Sequence, residues 1–141
     1  MMELQKTKES HCNIVASLGV GGLTLLIGLM IFRSLNWPII GDAGVFHFIA
    51  SQRQLGVVPY RDLSDINLPL VYWLHEGIVG SGGLGDFAFR IFDLSVLCVA
   101  SILVFLFCRP AGWIVAALAA LALAVLHLSF GPVSQGQRDF L

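Results

Sequence analysis

Asp42 stands a few residues past a long apolar run, in Trp37-Pro38-Ile39-Ile40-Gly41-Asp42. It opens a polar-aromatic stretch that continues to Val58-Pro59-Tyr60-Arg61-Asp62. A carboxylate at the mouth of a membrane helix suits chemistry at a membrane surface, where it can act as a general base. Asp is also a favoured N-cap, so Asp42 doubles as the cap of a helix that starts at Ala43, and the two roles are compatible. A second polar concentration, Ser134-Gln135-Gly136-Gln137-Arg138-Asp139, likewise follows directly on an apolar run.

The remaining polar residues read more plainly. Arg90 and Asp93 are three apart near the start of an apolar segment, the spacing of a local ion pair that lowers the cost of charge in lipid. His47 and His75 look isolated, and a metal site needs more ligands at defined geometry. His127 reads as packed and Glu76 as solvated. Cys12, Cys98 and Cys108 have no metal-type spacing, and the last two lie in an apolar segment where a thiol behaves as a small hydrophobe.

The elements that must position these residues follow from composition. The 141-residue chain is 57% hydrophobic and 12% charged, with mean hydropathy +0.84. Soluble domains carry about 25% charged residues, so the deficit points to the membrane class. Net charge is −1, which leaves no basic footprint for nucleic acid. Three apolar runs are long enough to span a hydrocarbon core of ~30 Å: about 14–32, 87–108 and 113–130. The first follows Lys6 and Lys8, as a signal peptide would. It exceeds the usual h-region of about 7–15 residues and has no A-x-A site after it, which favours a retained anchor. Asp86 is placed to cap the second run, and Arg109-Pro110-Ala111-Gly112 forms a turn before the third. Ala116, Ala120 and Ala124 make a small-residue stripe suited to close helix packing.

The expected fold is therefore an all-α integral membrane protein with three transmembrane helices, and residues 1–141 form one such membrane unit. Three spans put the loop 34–86 and the tail after Gly131 on one side, so Asp42 and Asp139 face the same compartment. Lys and Arg counts do not settle which side that is. The large loop is expected to carry two short helices. One runs from Ala43 to Leu55, with Gly44, His47, Ser51 and Gln54 on a polar stripe and Val45, Phe46, Ile49 and Ala50 on an apolar face turned to acyl chains. Gly56 stops it. The other runs from Leu68 to Val79, capped by Asn67 with Pro69 in its first turn, and places Tyr72 and Trp73 at headgroup level.

Gly41-Asp42, then Gly56-Val57-Val58-Pro59-Tyr60-Arg61-Asp62, then Pro69-Leu70-Val71-Tyr72 resembles the first external loop of GT-C membrane glycosyltransferases. The branch it is most similar to holds the bacterial protein O-mannosyltransferases and lipid A aminoarabinose transferases. In that family an acidic residue follows the first span, a G-x-P-Y-x-D segment leads into a P-P-L-x-Y-like helix, and a second acidic residue follows the third span after an arginine. Asp42, Arg138 and Asp139 match those positions, and Arg90 resembles the arginine that opens the second span. The match departs at Ala43, where the family often has Glu, and at Leu68-Pro69, where it has a proline pair.

The resemblance implies sugar transfer from a polyprenyl-phosphate donor, held in the lipid bilayer, to an acceptor at the external membrane face. It implies Asp42 as general base, Asp139 as a catalytic partner orienting the acceptor, and Arg138 as a phosphate contact. Tyr60 is a further substrate contact, and Arg61 is either another or an anchor at the membrane interface. A divalent cation fits where two carboxylates meet, although the sequence does not require one. Family members usually have many more spans, so the resemblance implies an N-terminal part that is inactive alone, in a bacterial inner membrane. The competing reading is a small, non-catalytic three-span protein that binds a partner. A transporter is a third reading, which the lack of midplane charges and broken helices disfavours.

Overall fold

The computed structural model describes residues 2–64, 69–83 and 85–134, and the side chains of its first helix from Ile14 onward. Among the described residues the fold is helical with no strand. In chain order the helices are α1 (Met2–Ser34), α2 (Asp42–Gln54), α3 (Pro69–Gly82), α4 (Asp86–Cys108) and α5 (Trp113–Ser129), with 3₁₀ turns at Arg109–Ala111 and Gly131–Ser134.

Two segments, Ile14–Ser34 and Asp86–Ala111, are long and apolar enough to cross a membrane. Only 6% and 11% of their most apolar windows are buried, so neither resembles the covered core helix of a soluble fold. Leu18, Leu25, Leu29 and Phe32 on α1, and Val99, Leu103 and Phe107 on α4, all lie exposed. The third apolar run forms α5, which has 17 residues and is the shorter helix.

The described residues divide into two compact units. One comprises those of Met1–Phe32 and Leu97–Ser129. Within it α5 buries Ala116, Ala124, His127 and Leu128, so the alanine stripe lies on the covered side of the helix, where small side chains permit close approach. Cys98 and Cys108 are free thiols.

The other unit comprises the described residues of Arg33–Val96 and Phe130–Leu141, and it holds the loop between the two long helices. That loop is a folded helix pair. Gly41 adopts φ 65° and ψ −144°, a conformation open essentially to glycine, and turns the chain from residues 37–40 into α2. At the other end Gly56 adopts φ 91°. Its N–H donates to the Arg53 carbonyl at 2.9 Å, while the Val57 N–H donates to that of Gln52 at 3.1 Å. These two bonds form a Schellman stop, so Gly56 ends the helix as expected.

The buried residues of α2 are Ala43, Phe46, His47, Ile49 and Ala50. Ala43, Phe46, His47 and Ala50 follow the i, i+3, i+4, i+7 pattern of a single packed face. Two clusters complete that face: Ala43 with Ile78 and Phe89, and Phe46 with Ile49 and Tyr72. Of the expected apolar side, Phe46, Ile49 and Ala50 are thus covered by protein while Val45 is exposed, and His47 leaves the expected polar stripe for the buried face. Tyr72 is fully buried, whereas Trp73 is exposed. The expected Asn67 cap lies outside the described residues.

Candidate functional site in the helix pair

Asp42 is the first residue of α2, one position inside the Gly41 cap. The cap expected of it is absent, because Gly41 takes that position and the Gly41 carbonyl accepts from the Gly44 and Val45 N–H groups. Asp42 still complements the positive end of the helix dipole, and it is exposed. The other described acidic groups of this unit are committed. Asp62 binds Arg61, Glu76 binds Arg53 at 3.1 Å, Asp86 accepts the Ile39 N–H at 3.1 Å, and Asp93 binds Arg90. Among the described residues of this unit, Asp42 is the carboxylate with no such partner. Asp86 therefore spends its carboxylate on the Ile39 backbone, and Glu76, expected to be solvated, is half-buried and paired.

The Val58–Leu63 segment closes on itself. The Asp62 carboxylate accepts the Val58 N–H at 2.8 Å, the Asp62 N–H donates to the Val58 carbonyl at 2.9 Å, and the Tyr60 N–H donates to the Leu63 carbonyl at 2.9 Å. Arg61 grips Asp62 through Nε at 2.7 Å and Nη2 at 2.8 Å. The Arg61 hydrogen bond, helped by the Val58 N–H, holds the Asp62 carboxyl down at about 2, and the same contact raises the Arg61 guanidinium. Tyr60 is held at φ 67°, a left-handed conformation costing about 1–3 kcal/mol for a residue with a Cβ. Its exposed ring lies 6.0 Å from that of Tyr72. Of the expected substrate contacts, then, Tyr60 is presented at the surface and Arg61 is exposed but tied to its neighbour. Arg138 and Asp139 lie outside the described residues, and so does the pairing of Asp139 with Asp42.

The ion pair expected of Arg90 and Asp93 forms, and it is buried. The guanidinium also donates to Ser34 Oγ from Nε at 3.1 Å and from Nη2 at 2.6 Å, and lies 4.9 Å from the Trp37 ring centre. One arginine near the start of α4 thus grips the last residue of α1 and the segment after it. A buried arginine persists only when its charge and donors are met, and here they are.

Sequence reasoning missed the histidines. His47 and His75 are both buried, with Nδ1 to Nδ1 at 3.3 Å. His75 stacks on Phe89 with ring centres 5.3 Å apart, and Phe46 meets His75 edge-on at 5.7 Å. Burial holds both imidazoles below the usual range. For His47 the Gly83 backbone and the Asp86 charge oppose that effect. For His75 the neighbouring His47 adds to it, and the value falls to about 4. His47 borders both the polar and the apolar stripe of α2, so local periodicity alone did not reveal its burial. Among the described residues no group of three His, Cys, Asp or Glu side chains is placed to hold a metal ion.

Comparison with protein-family models, with curated proteins and with solved structures gives no match for this chain.

Proposed function

We propose that the chain supplies the N-terminal membrane part of a GT-C type glycosyltransferase, with α1, α4 and α5 as three spans and the α2–α3 pair on the external face. The substrate is a sugar on a polyprenyl-phosphate carrier, presented at the bilayer surface to an acceptor hydroxyl. The observation that carries this reading is Asp42: an exposed carboxylate at the start of α2, just after a membrane-length helix, without a partner among the described residues of a unit whose other described acids are engaged. A general base must be free to accept a proton, and a carboxylate locked in an ion pair is poorly suited to that. The sequence resemblance supplies the reaction class, and the ordered loop supports it, since a catalytic group needs a rigid mount. Tyr60, held outward by the closed Val58–Leu63 segment, offers an aromatic face to the substrate. Asp139 orients the acceptor and Arg138 contacts the donor phosphate.

The test is transfer of labelled sugar from a polyprenyl-phosphate donor in membranes holding this chain joined to the further spans of the enzyme it is proposed to belong to. Asp42→Asn keeps the shape of the side chain and removes the base, so the variant inserts normally and loses transfer. Transfer at the unaltered rate by an inserted Asp42→Asn protein rules out the general-base role. The non-catalytic alternative predicts no donor-dependent transfer from either protein, together with a stable complex that survives purification.

A further inference from the structure

We propose that the His47–His75 contact is an acid-operated latch, in which protonation of the pair releases α2 from α3. The inference rests on the geometry of the helix pair and holds whether or not the glycosyltransferase reading does. An Nδ1 to Nδ1 distance of 3.3 Å fits one ring donating an N–H and a neutral ring accepting it, so the bond survives one added proton and is lost when both rings are charged. With both pKa values lowered, both rings are neutral at neutral pH. That arrangement fixes the tautomers. The accepting ring carries its proton on Nε2, and the donating ring has a lone pair there. Both Nε2 atoms are buried without a hydrogen bond of ordinary geometry among the described residues. An added proton must therefore land on an Nε2 with aromatic walls, Phe46 and Phe89, around the pair.

The surroundings offer little to hold the resulting charge. From α2 the ionisable groups near this packing are Asp42, which is exposed, and Arg53. From α3 there is Glu76, which Arg53 engages. From α4 there are Arg90, bound to Asp93, and Asp86, whose charge acts on His47 across space while its oxygen accepts the Ile39 N–H. None of these groups makes a hydrogen bond to either ring. Each imidazolium would also repel the other ring's added proton. The Gly83 backbone favours a charged His47 in part; beyond it, hydration is the remaining way to stabilise charge on both rings, and water reaches them only if α2 and α3 part. The cost of charging a buried imidazole is thus converted into opening of a specific pair of helices. The open state exposes Phe46, Ile49 and Tyr72 and displaces Asp42, the first residue of α2.

The measurement is the distance between nitroxide labels on the two helices by pulsed electron resonance, on the full chain in detergent micelles. Phe48→Cys on α2 and Trp73→Cys on α3 place labels at exposed positions, with Cys12, Cys98 and Cys108 changed to Ser. At neutral pH a single narrow distance is expected. As pH falls from 6.5 toward about 4 a second, longer population should grow at its expense. The His47→Phe/His75→Phe double variant removes the titration and should keep the narrow distance throughout. If phenylalanine overpacks and broadens the neutral distribution, His47→Leu/His75→Leu serves as the same control. A distance unchanged down to about pH 4 overturns the latch. So does opening over the same interval in a variant that lacks both histidines.

Discussion

At the scale of single residues, His75 and Arg90 are buried polar groups whose environments make opposite demands. His75 is buried neutral, with its proton affinity lowered to about 4 from 6.5. Above pH 6.5 both folded and unfolded chains leave it neutral, and it adds no pH dependence. As pH falls from 6.5 toward 4 the unfolded chain binds a proton that the folded chain refuses, so stability falls and then levels off below the folded value. The loss for His75 is on the order of 3 kcal/mol, from about 1.4 kcal/mol for each unit of depression. Chemical denaturation of the wild type across this interval should show that decline, and His75→Phe should flatten most of it. Arg90 is buried charged, with Asp93, Ser34 and Trp37 around its guanidinium. Asp93→Ala leaves that charge uncompensated and should cost about 3–5 kcal/mol. Replacing both members by leucine should recover most of the loss, because two apolar groups of similar volume need no partner. A double variant as unstable as Asp93→Ala would show that the charge pairing is not what the site depends on.

At the scale of elements, the helices were legible because each is a long apolar run or an amphipathic stretch bounded by glycine. Gly56 marked the end of α2 and Pro69 the first turn of α3, and both hold. The face of α2 was misjudged for a physical reason. His47 lies at the border of two stripes, about 40° from both Ala43 and Ser51 by helical rotation, so the periodicity of α2 alone did not assign it to the buried face; the packing of Ala43 and Phe46 against α3 and α4 does. The partner of that face, α3, is 28 residues further on at the His47–His75 contact, a separation that no local periodicity reveals. The same holds for Ser34 and Arg90, 56 residues apart, although the short-range Arg90–Asp93 pair could be read from its spacing. Asp42 was legible as a position but not as a free carboxylate, since that depends on where Arg53, Arg61 and Arg90 spend their charge. One element-level junction makes a direct prediction. A Cβ at Gly82, the last residue of α3, would collide with the Ala88 Cβ in the first turn of α4. Gly82→Ala should destabilise the unit by about 1–3 kcal/mol through overpacking, whereas Gly77→Ala, with open space around it, should be tolerated or mildly stabilising in mid-helix. Denaturation midpoints of the two variants should differ accordingly, and equal midpoints would count against the close α3–α4 junction.

At the scale of the whole molecule, the chain carries two helices long and apolar enough to cross a membrane and a shorter apolar helix of 17 residues. A helix of that length rises about 25 Å, near the lower limit for crossing a ~30 Å core. The proposed three-span topology therefore turns on α5. If α5 crosses, residues on the α2–α3 pair and those just after α5 react with a membrane-impermeant thiol reagent from the same side. Single cysteines at exposed Val58 and Val133, in a chain otherwise without cysteine, should both label from the external face of intact cells. Labelling of the two from opposite faces would remove α5 from the set of spans and separate Asp42 from the tail. The central claim is narrower and more demanding: Asp42 takes the proton from the acceptor as the sugar moves. General-base catalysis is worth about 10²–10⁴ in rate, so the most direct measurement is the single-turnover rate of sugar transfer from a polyprenyl-phosphate donor by the enzyme with its further spans in place, Asp42→Asn beside the wild type in the same membranes. A loss of about a hundredfold or more, with insertion and donor binding intact, is the predicted result, and transfer by Asp42→Asn at the wild-type rate would contradict it.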